Sequence, residues 1–150
     1  MMMNKFETLI LELGQILGVS LEPEKNYLCK LFIKNTIHLQ IEYDEAKEKI
    51  IFTCFVFEIP PGKFREEVLT AALKANYIDS SLGFFSYADS VQTLILQMYL
   101  PISITGPVLA SSLDLFVEKA IRWKKALESG SLSQLAPSAT SSFPSPINLP

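Results

Sequence analysis

The chain has 150 residues, enough for one domain that buries about 70% of the surface its unfolded form exposes. Its 13 Lys and Arg against 16 Asp and Glu leave a formal charge of −3, with no basic excess to neutralise phosphates, which argues against nucleic acid as a partner. Hydrophobic residues make up 49% and mean hydropathy is +0.26, yet no apolar run approaches the roughly 18 residues of a membrane span, so the surplus apolar surface points to an interface.

Phe6, Leu9, Ile10, Leu13, Ile16 and Leu17 recur at i, i+3, i+4 and i+7, with Glu7, Glu12 and Gln15 elsewhere on the cylinder. That spacing predicts an amphipathic helix over 3–17, ended by Gly18. The same glutamates interrupt the apolar residues and no small-residue cleavage site follows, so no signal peptide is expected and the protein should stay where it is made. A loop through Pro23 leads to a half-buried strand pattern over 27–34, and Lys34-Asn35 suits a tight turn. Ile37, Leu39, Ile41 and Tyr43 then alternate with Thr36, His38, Gln40 and Glu42, the mark of an antiparallel strand over 36–43 with one wet face. The charged loop 44–48 reverses the chain into 49–57, where Ile50, Phe52, Cys54 and Val56 line one face and Ile51, Phe55 and Phe57 the other. A strand apolar on both faces is expected at the centre of the sheet, or covered twice.

Pro60-Pro61-Gly62 ends that strand, and a helix is predicted over 63–77. It carries two apolar stripes: Phe64, Val68, Ala71, Ala72 and Ala75, and beside them Leu69, Leu73 and Tyr77. Two stripes imply two partners, one the sheet and the other a second copy of the chain. Strands follow over 82–88 and 91–100, then a helix over 107–129 with Pro107 near its first turn and Lys119, Arg122, Lys124 and Lys125 in its C-terminal half. Residues 131–150 carry no charge, four prolines and scattered Phe143, Ile147 and Leu149, a composition expected of a disordered tail. The predicted architecture is α-β-β-β-α-β-β-α, an α+β fold with a meandering antiparallel sheet and helices packed against it, in a domain over 1–130 followed by the tail over 131–150.

Converging polar groups are scarce. His38, the only histidine, falls on the polar face of an alternating strand, which reads as a solvated surface residue rather than a general base or ligand. Cys29 and Cys54 lie far apart, lack CxxC spacing and sit in apolar strand patterns, so they read as core thiols of a reducing compartment. Glu42, Asp44, Glu45 and Glu48 cluster at a hairpin without the spaced ligands and glycine of a calcium loop, and the adjacent Glu66 and Glu67 point in different directions on a helix. No glycine-rich phosphate loop is present. No catalytic residue, cofactor or metal is expected; the composition supports binding.

The run Leu73-Lys74-Ala75-Asn76, the strand opened by Gly83, the run Leu94-Ile95-Leu96-Gln97-Met98-Tyr99-Leu100-Pro101, and Phe116-Val117-Glu118-Lys119-Ala120 with Trp123 and Leu127 resemble, in that order, the class I type III secretion chaperones. The resemblance covers about residues 3–128. Many members have a glycine-rich segment where this chain has Ile78 to Phe85 with its bulky Phe84-Phe85 pair, and the Ser/Pro tail extends beyond the common core. The resemblance implies an ATP-independent homodimer in the bacterial cytoplasm. Its grooves would hold the N-terminal chaperone-binding segment of secreted effectors in non-globular form, keep them competent for secretion and direct them to the secretion ATPase.

Two site expectations follow. The dimer interface is expected at Leu69, Ala72, Leu73, Phe84 and Phe85, where a two-fold axis would bring the second stripe of the helix against itself. The cargo groove is expected at Leu9, Leu13 and Leu17 on the first helix with Leu28, Phe32, Ile37 and Leu39 on the first two strands, a region outside that interface and the one in which the resemblance places cargo. A structural or adaptor homodimer without cargo release, and a small enzyme or ligand-binding α+β domain, are the alternative classes.

Overall fold

Asn4 starts the first helix by accepting the Glu7 backbone N–H on its Oδ1 at 2.8 Å, and its Nδ2 donates to the Glu7 carboxylate at 3.2 Å, which satisfies an amide that the first turn leaves without a partner. The helix, α1, spans Lys5–Leu17 and ends at Gly18 in the left-handed conformation. The structure, a computed structural model, describes residues 4–24 and 26–135. After α1 come β1 (Leu28–Ile33), β2 (Ile37–Asp44), β3 (Lys49–Glu58), α2 (Lys63–Ile78), β4 (Phe84–Ala88), a 3-10 turn (Asp89–Val91), β5 (Thr93–Pro101), α3 (Gly106–Glu128) and a second 3-10 turn (Leu132–Leu135). Lys34 and Asn35, at φ 52° and 51°, turn β1 into β2, the positive-φ geometry that matches strand twist in tight hairpins.

The five strands form one antiparallel sheet in the order β1-β2-β3-β5-β4. β3 lies in the middle, as its two apolar faces require. The meander expected from the sequence holds for the first three strands and then breaks: β5 inserts between β3 and β4. α2 carries the chain outward past one strand position, and the short 3-10 turn returns β5 into the gap.

One row of partners, Leu31, Leu39, Cys54, Leu96 and Phe85, crosses all five strands on the face that the helices cover. α1 and α3 pack on each other over this face, with the Phe116 ring 5.5 Å from Phe52 and Trp123 4.1 Å from Phe85. The neighbouring row, Lys30, Gln40, Thr53, Gln97 and Phe84, belongs to the other face, where Gln97 Nε2 donates to Thr53 Oγ1 at 3.2 Å. The first turn of α3 has no acidic residue and Thr105 makes no side-chain cap; the Glu12 carboxylate from α1 lies where a Cβ on Gly106 would stand, placing negative charge at a positive helix end.

α2 runs along β4, burying Val68 and Ala72 and leaving Leu73 68% exposed. The segment joining α2 to β4 is held from beneath by Lys119, only 9% exposed, whose Nζ donates to Gly83 O at 2.8 Å and Asp79 O at 3.4 Å. At the far end, Leu132 and Leu135 pack against the core beside α3 and α2. Residues three apart fall on one side of a 3-10 turn, so the folded chain continues past Gly130, where the sequence composition places the start of the tail. Residues 136–150, which carry most of that expected tail, lie outside the described residues.

Candidate functional site

Beyond Gly18 the Val19 N–H returns to Gly14 O at 2.9 Å, folding the chain sharply at the end of α1. Leu17 stays 44% exposed while Leu21 drops into the core. This turn, β1 and α3 enclose an apolar groove of about 350 Å³, lined by Leu17, Val19, Leu21, Leu31, Phe32, Ile33, Lys34, Leu113, Asp114 and Val117. Leu113 and Val117 of α3 are buried and form its floor, and Lys34 and Asp114 supply its two charged side chains. Phe32, 55% exposed, stacks on His38 with ring centroids 4.6 Å apart.

β1 is also an edge of the sheet. Tyr43 N–H donates to Tyr27 O at 3.0 Å, and the antiparallel alternation from that pair directs the backbone groups of Cys29, Leu31 and Ile33 toward β2 and those of Lys30 and Phe32 outward. Leu28 O accepts from Glu24 N–H at 2.6 Å, whereas among the described residues nothing pairs with the outward groups of Lys30 and Phe32. The opposite edge differs. On β4 the Phe85 N–H donates to Asn76 Oδ1 at 2.7 Å, and Asn76 Nδ2 donates to Phe85 O at 2.9 Å.

The sequence-based cargo residues divide. Leu17 and Phe32 line the groove; Leu28 is half-buried and outside its lining, and Leu9, Leu13, Ile37 and Leu39 belong to the core and do not form the groove surface. Ile37 and Leu39 lie on the helix-covered side of β2, and Leu9 and Leu13, one turn apart, face the same core. Val19, Leu21, Leu31, Ile33, Lys34, Leu113, Asp114 and Val117 were not singled out as groove residues: Val19 and Leu21 sit in a loop without periodicity, and Leu113 belongs to an α3 stripe that reads as ordinary core. The dimer residues divide too. Leu73 is exposed, and Leu69 and Phe84 are half-buried. Ala72 and Phe85 are buried within the protomer, Ala72 on the sheet side of α2 and Phe85 against Trp123, and present no side-chain surface to a second copy.

Neither cysteine is poised for chemistry. Burial pushes the Cys54 thiol up to about 12 and also raises that of Cys29, with Glu24 adding to the second. Among the described residues no group of three or more His, Cys, Asp or Glu is arranged to hold a metal ion, and no helix is long and apolar enough to cross a membrane.

The sequence profile of the Tir chaperone protein (CesT) family matches residues 8–124. No curated protein sequence matches the chain. Among solved structures, the HopA1–SchA chaperone–effector complex aligns with a TM-score of 0.68 at 18% identity, over 81% of this chain and 94% of that one. The Yersinia pestis type III secretion chaperone SycH, solved with a stable fragment of YscM2, aligns at 0.63 and 18% identity over 77% and 97%. The heterodimeric ExoU–SpcU complex from the type III secretion system of Pseudomonas aeruginosa aligns at 0.59 and 17% identity over 83% and 95%. These likenesses establish a shared fold.

Proposed function

The chain belongs to the Tir chaperone protein (CesT) family, and we propose that it holds the N-terminal chaperone-binding segment of a secreted effector in extended form between the groove and the open edge of β1. As a member of that family it is an effector chaperone of type III secretion. The observation that carries the placement is the junction of an apolar groove with an unpaired strand edge at Phe32, a residue at the groove margin whose ring stacks on His38 and whose backbone groups face outward. A segment laid there satisfies its own amides on Lys30 and Phe32 while alternate side chains enter the groove. Burying one large apolar side chain contributes about 1.5–3 kcal/mol, so two or three such anchors offset the roughly 2–5 kcal/mol that ordering a flexible segment costs.

On this reading the protein needs no ATP, cofactor or catalytic group. It works in the bacterial cytoplasm, where it meets effectors before export and passes them to the secretion ATPase. It works as a homodimer, supported by the exposed second stripe of α2 at Leu73, the half-buried Leu69, and Phe84 on β4 with its ring edge-on to Tyr99 at 5.4 Å.

The test is affinity capture with mass spectrometry in a bacterium that makes type III substrates, using the full chain and its Phe32→Asp variant. The wild type should retain a secreted protein through its N-terminal segment. The variant should retain at least about tenfold less, the loss of one buried aromatic anchor, with its melting temperature within a few degrees of wild type because Phe32 is already exposed. Equal capture by the two chains would place the cargo site elsewhere.

A further inference from the structure

The two edges of the sheet are not equivalent, and one side chain makes much of the difference. By the alternation of the strand, Phe85 and Tyr87 are the residues of β4 whose backbone groups point away from β5, and both groups of Phe85 are taken by the carboxamide of Asn76, at 2.7 Å and 2.9 Å. A carboxamide can present an N–H donor and a C=O acceptor side by side, as a peptide edge does, so Asn76 occupies the place that the next strand would fill. α2 sets it there by burying Val68 and Ala72, the latter one turn earlier on the helix. Lys119 fixes Gly83 just before β4, and so holds the strand at the height of Asn76. β1 has no counterpart: among the described residues the outward groups of Lys30 and Phe32 are unpaired.

We infer that Asn76 is a positioning residue that closes the β4 edge to strand addition and so restricts an extended partner segment to β1, one strand per protomer. The inference rests on the reading that cargo adds to a strand edge, but its own claim concerns β4. A plain loop over β4 would cover the edge without fixing its amides; the paired bonds from Asn76 remove the donor and the acceptor that an incoming strand needs first.

The experiment is amide NMR on the isotope-labelled full chain with a nitroxide-tagged ten-residue Val-Thr peptide as the strand probe. In the wild type the probe should broaden Lys30 and Phe32 and leave Phe85 and Tyr87 sharp. In Asn76→Ala the Phe85 amide should exchange about tenfold faster or more, and broadening should appear at Phe85 and Tyr87. Broadening at β4 in the wild type, or a variant with a freed Phe85 amide that still excludes the probe from β4, overturns the inference. Should Asn76→Ala fail to fold, Asn76→Asp keeps the acceptor for Phe85 N–H and removes the donor to Phe85 O; probe broadening at Phe85 and Tyr87 in that variant upholds the inference, and a probe still excluded from β4 overturns it. A probe that avoids β1 in the wild type counts against the cargo reading alone; β4 opening only in the variant still upholds the role of Asn76.

Discussion

Gly83 lies at φ +119°, with Gln97 O 3.1 Å from where a Cβ would stand. Gly83→Ala is therefore expected to cost about 1–3 kcal/mol, read as a lower denaturation midpoint; an unchanged midpoint would mean that the segment before β4 relaxes freely. Its neighbour Lys119 gives a pH signature. Burial lowers the ammonium pKa below the ordinary lysine value; Asp79 opposes the shift and Arg122 adds to it. Between the lowered and the ordinary value the unfolded chain binds a proton that the folded chain does not, so stability contributed at this site rises with pH across that window. Urea denaturation from about pH 8 to about pH 10 should show wild type gaining on Lys119→Met as pH rises, and a constant difference would contradict the assignment. The thiols supply a third check. With both sulfurs buried and their pKa values raised, alkylation of Cys29 and Cys54 followed by mass spectrometry should track unfolding, and rapid labelling of native protein would show an opening that the fold does not provide for.

At the scale of elements, local pattern and long-range placement part company. The period-2 run from Ile37 to Tyr43 and the two-faced run from Ile50 to Phe57 are self-sufficient signals, and both strands stand where their faces require. The place of β5 between β3 and β4 was not legible, because strand order depends on how α2 crosses and no residue in β5 encodes its neighbour. The same distinction splits the groove residues. Leu13 and Leu17 share a stripe and a residue type, yet Leu13 is 0% exposed and Leu17 projects past the end of the sheet-covering part of α1; the helix pattern gives the face and not where the covered length stops. Leu132 and Leu135 were hidden for a related reason, two apolar residues inside a Ser-rich run with no periodic context. A chain ending at Gly130 should be less stable than one ending at Leu135 by about 1–3 kcal/mol, the contribution of two half-buried leucines; equal melting would mean that the second 3-10 turn contributes nothing to the fold.

For the whole molecule, the apolar surplus in the composition includes two well-separated exposed regions, the second stripe of α2 near β4 and the groove beside β1, at opposite edges of the sheet. That separation is what the proposed function calls for, a second copy on one side and cargo on the other without competition. Leu73→Glu should shift sedimentation at micromolar concentration from dimer to monomer while leaving the melting curve of the protomer largely intact, since the side chain is exposed; a wild-type monomer would remove the dimer from the account. The most direct test of the cargo site is hydrogen exchange on the protein alone and on the complex it forms with a captured effector. Slowed exchange is expected at Lys30 and Phe32 and along the groove walls at residues 17–21 and 113–117, with the effector segment itself unprotected when free; protection confined to α2 and β4, with β1 unchanged, would contradict it.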